Sequence, residues 1–219
     1  MAKYPKKVIP LFLRKRATLI VGMTLVGAVM SPTMSKTVGV TFEGWQIALI
    51  GLVMGLSSVC QPIMERMDFK MYTLFRVYYV SDLATIAGLI GYIVDYLTTV
   101  EFVVYETLVR SFGNAFAIQY GIRIKTAIGK IYSSVAKKFN SSLAAREGGM
   151  AAVAAIFMAW LLYFQPLKVG FGVAAVALTL MLIYELRLQK EAILLDAKFR
   201  RIQRREDRLK RQRQEEVNG

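Results

Sequence analysis

Residues 169–188, VGFGVAAVALTLMLIYELRL, form a block of twenty residues that is apolar along most of its length. A helix of about 20 residues crosses the roughly 30 Å hydrocarbon core of a bilayer, so this block predicts one transmembrane span. Five further apolar blocks precede it, at 17–35, 45–64, 74–97, 102–124 and 149–164. The sequence therefore predicts an all-α, polytopic integral membrane helix bundle with six transmembrane helices. The block 149–164 is short and could instead be buried or interfacial, which leaves five or four spans as alternatives.

The composition agrees with a membrane location. Of the 219 residues, 55% are hydrophobic, the mean hydropathy is +0.42, and the apolar residues come in blocks. No small-residue cleavage site follows the first block, so we expect an uncleaved span there and not a signal peptide.

The residues that most often carry chemistry are scarce. Histidine is absent from the sequence, and Cys60 is its only cysteine, which excludes an internal disulfide. The usual ligands of zinc, copper and haem are missing, and so is acid–base catalysis by imidazole. We expect no metal site, no cofactor and no enzymatic activity.

The distribution of basic residues predicts the orientation of the spans. Lysine and arginine concentrate in the cytoplasmic loops of membrane proteins. Here 26 of the 29 basic residues fall on the two termini and on alternate loops, and the opposite loops hold only Lys36 and Lys168. The acids on those opposite loops are Glu43, Asp95 and Glu101. Both termini are therefore predicted to be cytoplasmic, in the cytoplasmic membrane of a bacterium.

This topology divides the chain into three parts. They are a basic cytoplasmic N-terminus at 1–16, a six-span domain at 17–188 with a basic loop at about 122–147, and a cytoplasmic tail at 189–219. The net charge of +14 then follows mainly from this topology and from attraction to anionic lipid headgroups. Nucleic-acid binding through the tail is the less favoured explanation.

Ionisable residues fall inside two predicted spans: Asp82 in the third, and Glu106 and Arg110 in the fourth. Charges at this depth usually face a bundle interior and find partners. Glu106 and Arg110 are four positions apart and share a helix face, which Asn114 continues. We expect the third and fourth spans to pack through these charges. The polar stripe either lines a path for an ion or solute, or locks two helices together.

Small residues at four-residue spacing predict close helix contacts. Gly51 and Gly55 form such a pair in the second span. In the fifth span the ladder consists of Ala151, Ala155 and Ala159. In the loop after the fourth span, apolar residues recur near helical spacing among lysines. This pattern predicts an extension of that span, a helix on the inner leaflet or an ordinary cytoplasmic loop helix, of which the last is favoured. A break or an N-cap before the fifth span is expected at 140–142.

The tail carries a heptad pattern without glycine or proline between 187 and 217. Its apolar seam positions are Leu188, Ala192, Leu195, Phe199, Ile202 and Leu209, with Glu206 as a polar member. The pattern favours one continuous helix from the sixth span and self-association into a homo-oligomer. The alternative is an amphipathic helix that packs on loops of its own chain. A cytosolic protein could also bind the tail.

Residues 61–74, QPIMERMDFKMYTL, resemble the loop after the second span of major facilitator transporters. In that family an acid–arginine pair is followed by glycine and two basic residues, and Glu65, Arg66 and Lys70 match. The positions that depart from it are Gln61, Asp68 and Phe69. Six spans are half the usual length of that superfamily, so the resemblance implies that two chains pair. No site residue is carried over.

These features predict an oligomeric channel or transporter for an ion or small solute. The candidate polar path is Asp82, Glu106, Arg110 and Asn114. The second hypothesis is a membrane scaffold whose basic tail recruits soluble or nucleic-acid-bound partners, as in a secretion, phage or defence system. A membrane-perturbing effector is the third.

Overall fold

The computed structural model describes residues 8–30, 43–49, 51–52, 55, 67 and 69–218. These residues contain helices and no strand, which confirms the all-α prediction for the described part of the chain. The five long helices are α1 (Val8–Met30), α2 (Met71–Ile93), α3 (Thr99–Ile131), α4 (Ser133–Phe164) and α5 (Leu167–Asn218).

Helix α5 is the centre of the bundle. It packs most extensively on α1, then on α2, and it also contacts α3 and α4. Helices α2 and α3 pack closely as a hairpin, whereas α1 and α3 barely touch. With 52 residues, α5 is about 78 Å long at a rise of 1.5 Å per residue. It therefore runs through the predicted sixth span and the tail without interruption, as the sequence predicts.

The helix boundaries differ in part from the predictions. Helix α1 begins at Val8, so part of the predicted N-terminal segment 1–16 belongs to the first helix. The segment at about 122–147 is helical, as its apolar spacing predicts: α3 extends the predicted fourth span to Ile131, and α4 begins at Ser133. The chain turns at Tyr132, whose backbone leaves the helical region (φ −131°, ψ 54°). The break predicted at 140–142 is wrong, since these residues lie within α4.

Two stretches of helix are long and apolar enough to cross a membrane: α2, and the stretch of α5 within Leu167–Glu215. They coincide with the predicted third and sixth spans. A shorter apolar stretch, Glu147–Leu161, coincides with the short fifth block. The block 45–64 and the matched residues of 61–74 lie largely outside the described residues. The two helices weakly suggest membrane association, and the six-span count stays a prediction.

The buried apolar side chains form two separate clusters. The basic-end cluster joins the start of α1 to the second half of α3 and to 188–199 of α5; its largest members are Phe12, Tyr78, Tyr120, Ile124, Ile128 and Leu188. The turn-end cluster lies near the connections α2–α3 and α4–α5; its largest members are Leu89, Phe102, Phe171, Leu178 and Met181. Polar side chains separate the two clusters along every helix that contributes to both ends.

The predicted small-residue positions are not helix contacts among the described residues. Ala151, Ala155 and Ala159 are exposed, whereas Ala154 and Leu161 of the same helix are buried. Gly51 and Gly55 are also exposed. A Cβ atom at either glycine would meet nothing within 4 Å in the described structure. The close helix approaches occur at Gly22, Gly88 and Gly113.

The first part of the apolar seam of the tail packs against other helices of the same chain. Leu188, Ala192, Leu195 and Phe199 are buried in the basic-end cluster against α1, α2 and α3. Ile202 is half-buried and Leu209 is 48% exposed. The four buried residues are therefore not available as a seam for a second chain, and the alternative of an amphipathic helix packed on its own chain describes them. Oligomerisation by other surfaces stays a prediction.

Candidate functional site: a charged layer inside the bundle

Five charged side chains lie between the two apolar clusters. Lys15, Asp82, Glu106 and Glu185 are all buried, and Arg110 is half-buried. Lys15 belongs to α1, Asp82 to α2, Glu106 and Arg110 to α3, and Glu185 to α5, and we call these five side chains the charged layer. Thr85, with no exposed surface, and Ser81 lie on the same face of α2.

Arg110 links the two hairpin helices. Its Nη1 donates to Asp82 Oδ1 at 2.8 Å, and its Nε donates to Glu106 Oε1 at 2.7 Å. The Thr85 hydroxyl also donates to Glu106 Oε1, at 3.1 Å. Glu106 and Arg110 are one helical turn apart, so the same face of α3 presents both to Asp82. The contact between the third and fourth predicted spans thus has the form that the sequence predicts.

Close helix packing positions this pair. A Cβ atom on Gly113 would overlap the side chain of Ser81, and one on Gly88 would lie 2.5 Å from the Tyr105 ring. Ser81 donates to the carbonyl of Val109 at 3.0 Å, directly before Arg110. The two glycines therefore let α2 and α3 approach closely enough for short, direct ion pairs.

A second ion pair joins the ends of the sequence. Lys15 Nζ contacts Glu185 Oε2 and donates to the Tyr78 hydroxyl at 2.9 Å. The same ammonium lies 4.4 Å from the centre of the Tyr78 ring and 4.8 Å from that of Tyr120. Glu185 has no exposed surface. The pair fastens α1 to α5 at the depth where α2 and α3 meet.

Lys15 and Glu185 are site residues that the sequence analysis did not identify. Glu185 had a usable signal, because it is an acid within the predicted sixth span, where a charge needs a partner. Lys15 had a weaker one, since it sits between Arg14 and Arg16 and is counted with them as a flank of the first span.

A cavity of about 250 Å³ borders the charged layer in the gap between α1, α2 and α3. Three members of the layer line it directly: Lys15, Asp82 and Arg110. Asn114, the fourth predicted path residue, also lines this cavity and is exposed. The cavity therefore reaches the surface of the described structure beside Arg110. Glu106 and Glu185 lie behind this wall.

Several polar atoms in and around the layer are buried without a hydrogen-bond partner among the described residues. They are Glu106 Oε2, Arg110 Nη2 and Gln119 Nε2. Glu185 and Tyr120 are not counted with them, because Glu185 pairs with Lys15 and interacts with the Tyr120 hydroxyl. Buried polar atoms are normally hydrogen-bonded to protein, water or ligand. The unpaired atoms of the layer can therefore form hydrogen bonds to water or to a polar ligand.

A larger cavity of about 390 Å³ lies between α1 and α4 and is lined mainly by apolar surface. The Arg16–Glu147 ion pair, 2.7 Å long, belongs to its wall. It contains no member of the charged layer, so we regard the smaller cavity as the candidate site.

Ion pairs also mark the two ends of the bundle. At one end Asp196 accepts from Arg123 at 2.9 Å and from Arg200 at 3.0 Å, and both arginines donate to the carbonyl of Phe69. At the other end Lys168 contacts both oxygens of Asp95, at 2.5 and 2.6 Å. These pairs fix the register of α5 along its neighbours.

Comparison with protein-family models, with curated proteins and with solved structures finds no match to this chain. The functional conclusion therefore rests on the geometry of the charged layer.

Proposed function

We propose that this chain is an integral membrane carrier for an ion or small charged solute, with the charged layer as its binding site. The observation that supports it is a set of five ionisable groups between the two apolar clusters and beside a cavity, four of them buried and Arg110 half-buried. Ionisable groups inside membrane helices are costly, and they commonly mark ion or substrate pathways. Arg110 Nη2 has no hydrogen-bond partner among the described residues, and because Arg110 lines the cavity it offers a donor to a bound solute.

The packing favours a carrier over an open channel within one chain. The basic-end and turn-end clusters close the layer along the bundle axis with side chains such as Tyr120, Phe102 and Phe171, which have almost no exposed surface. Within the described part of the chain, access to Asp82 and Arg110 is lateral, from the gap between α1, α2 and α3. A bound solute would therefore leave only after the helices rearrange.

The proposed membrane arrangement has six spans with both termini in the cytoplasm of a bacterium. Arg123, Lys130 and Arg200 lie toward one end of the bundle, and the exposed Asp95–Lys168 pair lies at the other. That separation supports a positive-inside orientation, with the basic end on the cytoplasmic side.

Flux into proteoliposomes tests the proposal. Wild-type protein should move at least one probe among protons, sodium, potassium, chloride and inorganic phosphate, each followed with a trapped indicator. Arg110→Met should abolish that flux, because it removes the shared partner of two buried carboxylates. Lys168→Met is the matched control, since it breaks an exposed ion pair away from the cavity. Undiminished flux in Arg110→Met would contradict the proposal.

A specific observation supports the alternative of a membrane scaffold. The last contact of α5 with the bundle in the described structure is the 2.5 Å pair Lys130–Glu206, and residues 207–215 are all exposed. This stretch contains Arg208, Lys210, Arg211 and Arg213, a surface suited to an anionic partner. Ending the chain after Glu206 should leave flux intact if the chain is a carrier. A scaffold should lose its partner instead.

A further inference from the structure

The charged layer holds three carboxylates and two cations. Asp82, Glu106 and Glu185 face Lys15 and Arg110, so the formal charge of the ionised layer is −1. The other groups that face it do not balance this charge. Arg16 on α1 also lines the cavity but is paired with Glu147 of α4. The hydroxyls of Tyr78, Tyr120, Ser81 and Thr85 and the amide of Asn114 carry no formal charge. A net charge buried between two apolar clusters is unfavourable. One additional positive charge would remove it.

The distribution of ion pairs identifies the carboxylate in excess. In direct ion pairs, Glu185 contacts Lys15, whereas Asp82 and Glu106 both contact Arg110. Lys15 attracts Asp82 without forming a direct ion pair with it. Two carboxylates on one cation compete, and this competition favours protonation of one of them.

Asp82 is the accessible member of that pair. It lines the cavity, whereas Glu106 has no exposed surface and does not line it. Glu106 Oε1 also accepts from both Arg110 and Thr85, which favours its ionised form, while the structure gives Asp82 the single donor Arg110 Nη1. A proton that arrives through water in the cavity therefore reaches Asp82 first.

We propose that Asp82 reversibly binds the proton that this carrier moves or couples to, an inference that rests on the proposed function. Water in the cavity delivers H⁺, an O–H bond forms on the Asp82 carboxylate, and the layer changes from −1 to neutral. Release returns the same proton to water. Protonation weakens the contact with Arg110 Nη1. Arg110, whose Nη2 already lacks a partner, then has donors available to an anionic solute at the cavity wall.

Infrared titration of the full-length protein in lipid tests this inference without requiring any flux. A protonated carboxyl group has a C=O stretch that a carboxylate lacks. We expect one such band to disappear as the pH is raised, and to shift when aspartate, not glutamate, carries ¹³C in its carboxyl group. The wild-type chain is used, so folding of a variant is not in question. Exposed aspartates and glutamates also become protonated in acid, so the deciding band is the one that persists to the highest pH. If that band follows the glutamate label, or if no band titrates, the proposal is overturned.

Two variants sharpen the assignment. Asp82→Asn should lack the band and leave a balanced layer of two carboxylates and two cations. Glu106→Gln should retain an aspartate band that appears only at lower pH, because Asp82 then has Arg110 to itself. An unchanged band in Asp82→Asn would overturn the proposal. A titrating aspartate band in a protein that moves none of the probe ions would support the proton site and refute the carrier.

Discussion

Lys15 and Glu185 form a buried ion pair at the point where four helices meet, although they lie near opposite ends of the sequence. Through Lys15, α1 also contacts the rings of Tyr78 on α2 and Tyr120 on α3. A charge in an apolar bundle is stable only where its partner lies, so the pair specifies one arrangement of α1 and α5. Hydrophobic contacts alone would tolerate slippage along these helices.

Loss of Lys15 should destabilise the fold strongly. Lys15→Met leaves Glu185 buried without a cation, and breaking a buried ion pair costs about 3–5 kcal/mol. The double variant Lys15→Met with Glu185→Leu should recover most of this loss, because no uncompensated charge remains. Chemical unfolding in detergent micelles measures both. Lys168→Met is the control, with an expected cost below about 1 kcal/mol at its exposed pair. Equal costs for Lys15→Met and the control would contradict the prediction.

The contact between Gly113 and Ser81 should tolerate no additional atom. Gly113→Ala places a methyl group on the Ser81 side chain, and overpacking of this kind costs about 1–3 kcal/mol. Gly129→Ala, on the same helix, meets nothing within 4 Å and should stabilise by up to about 1 kcal/mol through helix propensity. The free energies of unfolding of the two variants should therefore change in opposite directions.

A compensating change distinguishes this steric effect from a loss of glycine as such. Ser81→Gly in the Gly113→Ala background moves the small residue from α3 to α2 and should recover part of the stability. A Gly113→Ala variant as stable as Gly129→Ala would show that α2 and α3 do not approach this closely.

The sequence predicts the part of the site that lies within one helix hairpin. Glu106 and Arg110 share a face because the helix repeat puts residues four apart together, and Asp82 is their partner because a charge in an apolar span needs one. The sequence alone does not identify Lys15 as the basic residue of α1 that faces the bundle interior. The rotation of α1 about its axis decides which of three consecutive basic residues turns inward, and that rotation depends on packing against α5.

The tail shows a similar limit. A seven-residue repeat establishes that α5 has an apolar stripe, but it does not say whether the stripe faces another chain or its own. Here α1, α2 and α3 supply the partner surface for Leu188–Phe199. The break or N-cap expected at 140–142 is wrong, since these residues lie within α4. Polar residues lower the intrinsic helix propensity of a segment only weakly, so they do not by themselves end a helix.

Asp95 occupies a backbone position that favours glycine. Its φ of 62° places it in the left-handed region after α2, where Tyr96 N donates to the carbonyl of Gly91 at 2.8 Å and Asp95 N to that of Tyr92. Asp95→Gly should be more stable than Asp95→Ala by about 1 kcal/mol, although both lose the contact with Lys168. Thermal unfolding of the two variants measures the difference. Equal thermal stabilities of Asp95→Gly and Asp95→Ala would show that the left-handed backbone at position 95 is no less favourable for alanine than for glycine.

Acid should weaken the start of α3. Glu101 accepts from the backbone N–H and the hydroxyl of Thr98, both at 2.8 Å, and these hydrogen bonds lower the pKa of its carboxyl group. A lowered folded-state pKa contributes stability at neutral pH, and this contribution is lost as the pH falls from the unfolded-state value through the folded-state value. Glu101→Gln keeps the capping geometry but cannot titrate. Its stability should therefore depend less on acid pH than that of the wild type, as unfolding at several pH values below neutral can test.

The tail should divide into a structural part and a dispensable part at Glu206. Residues 207–215 are exposed, so a chain that ends after Glu206 should unfold with unchanged free energy. A chain that ends after Glu191 loses Ala192, Leu195 and Phe199 from the basic-end cluster, together with the Asp196 ion pairs, and should be destabilised by several kcal/mol or fail to fold.

The far tail should not be the element that assembles an oligomer. Leu209 is the one exposed apolar seam position in 207–215, and a single position is too few for a coiled coil. Removal of 207–219 should therefore leave the number of chains in the detergent-solubilised complex unchanged. The mass of the complex should fall only by the mass of the residues removed. A fall to monomer would assign oligomerisation to the far tail after all.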